Sequence, residues 1–471
     1  MRRCRDSAIG GIGAQEIGEK SGQPCQINEG SNLPGRAGSR LLVCKIQRRK
    51  AHVLTGGASW ADGDVRAPSK TLIVSSTEVT KGLRDKVTVL MRIAIDGIPL
   101  TLPKTGVGHY TFELARAIAQ VAPNRQVEVV APSNLSPIQI DENDQALHNL
   151  LFKSIKVGPL SRRWWSIGLP RYLRKTQAEL FHGTNYEVPL WRPCATVITI
   201  HDLSLLTLPE KQQRRRVALA RVRLPIMARA ADAVIVPSEA VRNETCERFK
   251  LPVTKVFAVP EAARQFFQPA SSVEIDAVKA RFGISKPFIF AVGTIEPRKN
   301  YLMLIDAFEN VLKSRSDLNP QLVIAGGCGW KSEEVLSRIE TSSARERIVL
   351  TGYLTDVDLR ALYSSCAVSV YPSQYEGFGL PPLEAMACGA PVIASNIPSV
   401  AETVGPAARL LDPFDARTWA SNIVELITND EAGASLKSAG FKRVGQFSWH
   451  LAATKTLAVY EEALSRWRRS R

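Results

Sequence analysis

From residue 91 onward the chain alternates short apolar runs with longer stretches in which apolar residues recur every three or four positions. Short continuous runs suit strands buried on both faces, and the longer periodic stretches suit helices that cover such a sheet. The first half offers strand candidates at 93–95, 127–130, 179–181, 195–200 and 233–236, each followed by polar or Gly-rich residues. The second half repeats the pattern at 287–293, 321–325, 348–350, 367–370 and 391–394. Between them, Val259 and Pro260 through Pro269 form an expected hinge. The pattern predicts an α/β chain of two Rossmann-like domains facing across a cleft, with ligand at the carboxyl ends of both sheets. The expected divisions are 91–265, 270–446, and a C-terminal helix and basic tail at 447–471. In that last helix, Leu451, Ala452, Leu457, Tyr460 and Leu464 mark one apolar face.

Residues 1–90 break the pattern. They show little sustained periodicity and hold 15 Lys and Arg against 8 Asp and Glu, a surplus of 7 that leaves 9 of the net +16 for the remainder. They read as a disordered extension or as the product of a start assigned upstream of Met91. At 471 residues the chain exceeds what one core supports, and 45% hydrophobic content is ordinary for a globular protein. It has no run of 18 apolar residues and no continuous apolar segment after its basic start, so a cytoplasmic protein is expected. The eight cysteines are scattered, without a C-x-x-C pair or a His partner at metal-ligand spacing, and read as reduced and structural.

The most informative segment runs Glu376-Gly-Phe-Gly-Leu-Pro-Pro-Leu-Glu384. Gly377 and Gly379 allow close backbone approach, and Pro381 and Pro382 suit a first helical turn, where a missing N–H costs nothing. The predicted helix stops at Gly389 and turns its N-terminal N–H groups toward an anion. Two carboxylates beside an anion site make sense when they grip hydroxyl groups attached to the phosphate, as on a sugar or a ribose. The stretch from Ser373 to Gly389 resembles the E-x7-E signature of retaining glycosyltransferases of family 4, which have the GT-B fold. The resemblance implies that Glu376 contacts the donor sugar and Glu384 the nucleotide ribose, with Gly377, Phe378, Gly379 and Leu380 lining the donor site. It also implies that 91–265 is the acceptor side, that 270–446 binds the nucleotide-sugar, and that the last helix crosses back to the N-terminal domain.

Other segments fit beside this one. Gly293-Thr-Ile-Glu-Pro-Arg298-Lys299-Asn300 follows an apolar run and precedes a helical stretch, which places a basic pair where a phosphate is expected. By resemblance to the family's E-P-R-K-N block, Arg298 and Lys299 are diphosphate ligands and catalytic electrostatics. Many relatives carry Arg where this chain has Thr294. Gly106-Val-Gly108 opens a predicted helix over 111–120 and resembles a glycine loop facing the donor diphosphate, while Gly326-Gly327 resembles a glycine turn near the nucleotide. His201-Asp202, at the end of a predicted strand, resembles the family's active-site histidine, implying a sugar contact for His201. Asp202 either holds its tautomer or caps the next helix. His182 ranks lower.

The resemblance further implies reaction on one face of the sugar, the leaving phosphate taking the acceptor's proton, with no metal and no cofactor beyond the nucleotide-sugar. The chain looks most like the bacterial mannosyltransferase B-like branch, which builds O-antigen and related polysaccharides. GDP-mannose is then the favoured donor, ahead of UDP-sugars, with a lipid-linked oligosaccharide or other glycan as acceptor. Two basic stretches, 161–175 and 211–229, interleave Arg with Trp or Leu and could meet an anionic membrane surface. A nucleotide-sugar epimerase or sugar-phosphate synthase on the same fold is the runner-up. A nucleic-acid-binding role is remote, since no nucleic-acid motif accompanies the charge.

Overall fold

The computed structural model describes residues 91–102, 106–138, 147–156 and 163–471. The expectation for residues 1–90 lies outside them, as does part of the basic stretch 161–175.

The described chain builds two parallel sheets. Seven strands, β1 (Arg92–Asp96), β2 (Gln126–Pro132), β3 (Leu150–Ile155), β4 (Leu180–Gly183), β5 (Ala195–Thr199), β6 (Ala233–Val236) and β7 (Val256–Ala258), lie in the order β3-β2-β1-β4-β5-β6-β7. Six more, β8 (Phe288–Val292), β9 (Gln321–Ala325), β10 (Ile348–Gly352), β11 (Val368–Tyr371), β12 (Val392–Ser395) and β13 (Arg409–Leu411), lie in the order β10-β9-β8-β11-β12-β13. The central strands are buried along most of their length, which is why they read as continuous Ile, Val and Ala runs. β3, β7 and β13 escape the apolar pattern. They are edge strands, two of them only three residues long, with half-exposed positions that need no apolar residue.

In each sheet the strand order reverses once, between β1 and β4 and between β8 and β11. Loops leaving the carboxyl ends of adjacent strands diverge there and open a crevice, so ligands of open α/β sheets bind at that place. His201 follows β5, the Arg298-Lys299 turn follows β8, and Glu376 follows β11.

The C-terminal helix, Trp449–Arg469, crosses back onto the first domain. Its buried Trp449, Ala453, Tyr460 and Leu464 share one core with Ile93, Leu114, Ile118 and Val197. Ser448 caps it by accepting a hydrogen bond from the Leu451 amide at 3.0 Å. The preceding helix, Asp430–Val444, packs instead on the signature helix, with Gly440 against Met386. The C-terminal segment thus ties together both halves of the molecule.

Candidate active site

The signature helix runs Leu380–Ala387, with Gly379 before it, both prolines in its first turn and Gly389 turning the chain at φ +83°. The loop before it carries Glu376 to the end of β11, opposite the short turn Pro297–Lys299 that follows β8. There the Glu376 carboxylate meets two cations. Lys299 Nζ donates to Oε1 at 2.6 Å, and Arg298 Nη1 lies 2.8 Å from Oε2. Arg298 also donates to Glu296 at 2.8 Å and to the Tyr375 carbonyl at 2.9 Å, while Lys299 reaches the Tyr371 hydroxyl at 3.2 Å. All three charged side chains of the central pair and bridge are nearly closed to solvent. Burial alone would raise the Glu376 pKa, but Arg298 and Lys299 outweigh it and hold the carboxyl at about 2. Burial lowers Lys299, and Glu376 opposes that loss. With Glu296 included, two acids and two bases sum to zero charge, so an incoming diphosphate must share cations that are already paired.

Glycines make this proximity possible. A Cβ on Gly326 would stand 2.1 Å from the Gly293 carbonyl oxygen, so the ends of β8 and β9 pack backbone on backbone. Gly293 in turn lets the Lys299 stem lie across it. Across the cleft, a Cβ on Gly377 would stand 1.8 Å from the His201 carbonyl oxygen. Only glycine admits that approach.

The Glu376 loop is fastened to the first domain by further bonds. The Ser238 hydroxyl donates to the Gly377 carbonyl at 2.8 Å, and the Leu203 amide donates to the Tyr375 hydroxyl at 3.0 Å. The Tyr375 hydroxyl donates to Glu244 at 2.6 Å. Glu402 accepts from the Glu239 and Ala240 amides at 2.9 and 3.1 Å, at the start of helix Glu239–Phe249. Beside Arg298 a cleft of about 420 Å³ opens between the halves, lined by Tyr186, Asp202, Arg216 and Arg223 from one side and Glu296 and Arg298 from the other.

Other sequence-predicted residues take different places. The His201 ring is fully engaged inside the protein: Nε2 faces the Thr184 carbonyl at 2.8 Å, and Nδ1 faces Glu261 at 3.3 Å. The His201 backbone carbonyl meets the Glu376 loop at Gly377. Asp202 accepts from the Ser204 amide at 2.9 Å and so caps the following turn, leaving Glu261 as the acid beside the ring. The Phe378 ring is buried against Phe447, with centroids 5.8 Å apart, and belongs to the core. Leu380 is the first residue of the signature helix.

Gly106 and Gly108 lie inside helix Gly106–Val121 rather than in a loop before residue 111. Tertiary bonds hold that first turn despite glycine's poor helix propensity: Tyr110 pairs with Thr199 at 3.0 Å and Thr111 donates to Thr184 at 2.9 Å. His182 is structural, bonded to Tyr460 and Thr199, each at 2.7 Å. Burial drops its pKa to about 3.

Glu384 sits apart from the Glu376 cluster. Its nearest cation is Arg264 of the interdomain linker, with Nε 3.7 Å from Oε1. Burial pushes Glu384 up to about 7, Arg264 pulls back, and Asp356 adds to the rise. Glu261, Glu296, Arg264 and Tyr375 therefore belong to the site although sequence reasoning did not select them. Of these only Glu296 and Tyr375 had a signal, as neighbours of the motif residues.

Two families account for most of the described chain. The family described as Glycosyltransferase Family 4 matches residues 104–262, and Glycosyl transferases group 1 matches residues 274–443. The chain belongs to the group 1 and family 4 glycosyltransferases. The O-antigen chain mannosyltransferase B of Escherichia coli is 29% identical to this glycosyltransferase over 381 residues, covering 79% of this chain and all of that one. The serotype-specific mannosyltransferase WbdA of Escherichia coli is 31% identical over 290 residues, which span 59% of this chain but 35% of that longer protein. The solved structure of Anabaena HepE with UDP and glucose covers 79% of this chain and 99% of its own, at a TM-score of 0.61 and 17% identity, and shows the same GT-B fold. Among the described residues, no group of three or more His, Cys, Asp or Glu side chains is placed to hold a metal ion. The five described cysteines are free.

Proposed function

We propose that this glycosyltransferase moves mannose from GDP-mannose, with retention of configuration, onto a lipid-linked or polysaccharide acceptor in cell-surface glycan synthesis. The observation that carries the reading is the Arg298–Glu376–Lys299 cluster, which brings the carboxyl ends of β8 and β11 together beside the interdomain cleft. The full-length relationship to a mannosyltransferase supports the choice of sugar. Arg298 and Lys299 draw in the diphosphate and stabilise charge as it leaves, a task that needs no metal in this reading. Glu376, anchored by both, presents its carboxylate to sugar hydroxyls, and Glu384 takes the ribose diol. The acceptor approaches through the 420 Å³ cleft. Its hydroxyl proton passes to the leaving phosphate on the same face, with the two partners held in place by the closed cleft.

A lipid-borne acceptor fits helix Arg214–Ala230, which lines that cleft. It has no acidic residue, and Leu219, Val222 and Ile226 are 54%, 61% and 44% exposed among its arginines. Such a face suits peripheral contact with the anionic inner surface of a membrane. No helix among the described residues is long and apolar enough to cross one.

The test is a donor screen by mass spectrometry with GDP-mannose and UDP-sugars against a membrane extract, followed by NMR of the new anomeric centre. Mannose transfer from GDP-mannose with retention is expected. Transfer from a UDP-sugar alone overturns the donor, inversion overturns the mechanism, and a Glu376→Ala variant with unaltered transfer and donor binding overturns the site. UDP-sugars are the second choice because a fold neighbour binds UDP.

A further inference from the structure

The interdomain linker leaves β7 at Ala258 and enters helix Ser272–Phe282 without regular structure. Three residues apart on it stand two opposite charges that face opposite halves of the site. Glu261, buried, lies 3.3 Å from His201 Nδ1. Arg264 lies 3.7 Å from Glu384, its guanidinium held by Asp356 through bonds of 2.6 and 2.9 Å and stacked 4.7 Å from the Phe267 ring. Arg264 Nε is a buried donor whose nearest acceptor is Glu384, 3.7 Å away, so the two form an ion pair longer than a hydrogen bond.

We propose that the linker is part of the donor site, with Glu261 and Arg264 as positioning residues that fix the His201 ring and the Glu384 carboxylate. The inference rests on the reading of Glu384 as the ribose ligand. Both nitrogens of His201 face acceptors, Glu261 and the Thr184 carbonyl, an arrangement that favours the doubly protonated ring. Burial opposes that charge, while Glu261, Thr184 and Asp202 favour it and raise the ring's pKa. The rings of Tyr110, Tyr186 and the neutral His182 complete its surroundings. Around Glu384 stand Arg264, Asp356, Tyr363 and Cys388. Lys437, on the helix packed against the signature helix, sits at the far end beside Gly389. Arg264 is thus the cation that pulls the Glu384 carboxyl down against burial and Asp356.

The experiment is calorimetric titration of GDP, with UDP in parallel, into the full-length protein across a pH series. An ionised Glu384 accepts two ribose hydroxyls and a protonated one loses an acceptor, so affinity rises with pH through about 7. Removing a nearby opposite charge raises a carboxyl pKa by about one unit or more, so Arg264→Met shifts the midpoint upward and is rescued at high pH, while Arg264→Lys stays near the wild type. Where the Met variant fails to fold, Arg264→Gln removes the charge and can still bond Asp356. An unmoved midpoint overturns the role of Arg264. Glu384→Gln is the control on the underlying reading: it weakens GDP and abolishes the pH step, and unchanged affinity there sinks the ribose assignment itself. For Glu261, nitrogen-15 NMR should show a doubly protonated His201 at neutral pH that turns neutral in Glu261→Gln; a neutral wild-type ring overturns that half.

Discussion

The two ends of the signature segment carry the same residue in opposite states. Glu376 holds two cations at 2.6 and 2.8 Å, and its carboxyl falls to about 2. Glu384 has one cation at 3.7 Å and a carboxylate neighbour, Asp356, and rises to about 7. Both side chains are nearly closed to solvent, so burial does not separate them; the number and distance of the cations does. One end is ionised throughout the working range and serves as fixed electrostatics. The other changes charge near neutrality and can report on what binds.

The contrast can be broken from the Glu376 end first. Lys299→Ala removes one of its cations and a contact for the diphosphate, and transfer should fall by about 10³-fold. A loss below about tenfold in kcat would mean that Arg298 alone suffices. Glu376→Gln keeps the shape but leaves Lys299 without a carboxylate while Arg298 keeps Glu296, and about a 10²-fold loss is expected with thermal destabilisation of about 3 kcal/mol. By linkage, the stability that the ionised Glu376 contributes is present above the ordinary carboxylate value of 4.5 and is lost as pH falls toward about 2. Acid titration of wild type against the Gln variant, followed by circular dichroism, checks this: the curves should converge only in that acid window.

Gly377→Ala tests whether the fixed end depends on domain contact. Its methyl must displace the His201 carbonyl, so scattering should show a more open protein, with kcat down about tenfold or more and a smaller change in nucleotide affinity. Unchanged kcat would show that the contact is dispensable. Tyr460→Phe is the smallest perturbation, since it removes the bond to His182 far from both carboxylates. It should cost about 1 kcal/mol in thermal unfolding and leave both pH behaviours intact. A shift in either would show that the C-terminal helix reaches the site.

Much of this was open to reading in the residues. The central strands, the signature helix with its proline start and glycine stop, and the Arg298-Lys299 turn are local patterns, because period, caps and turn residues act over a few positions. The edge strands were hidden because half-exposed positions relax the apolar code. Gly106 and Gly108 were misplaced because Tyr110 and Thr111 recruit partners from β5 and from the loop after β4, which no local rule contains. His201 drew attention as a strand-end histidine, yet its ring belongs to Thr184 and Glu261, 17 and 60 residues away in sequence.

By itself, the sequence determined that two doubly wound domains would form, that Arg298, Lys299 and Glu376 would follow strand ends, and that Glu384 would lie on the helix after them. Only the tertiary structure decided which carboxylate is pinned and which is poised. A charge depends on every neighbour within a few ångströms, and here those neighbours come from the turn after β8, from the linker and from the helix that starts at Asp356.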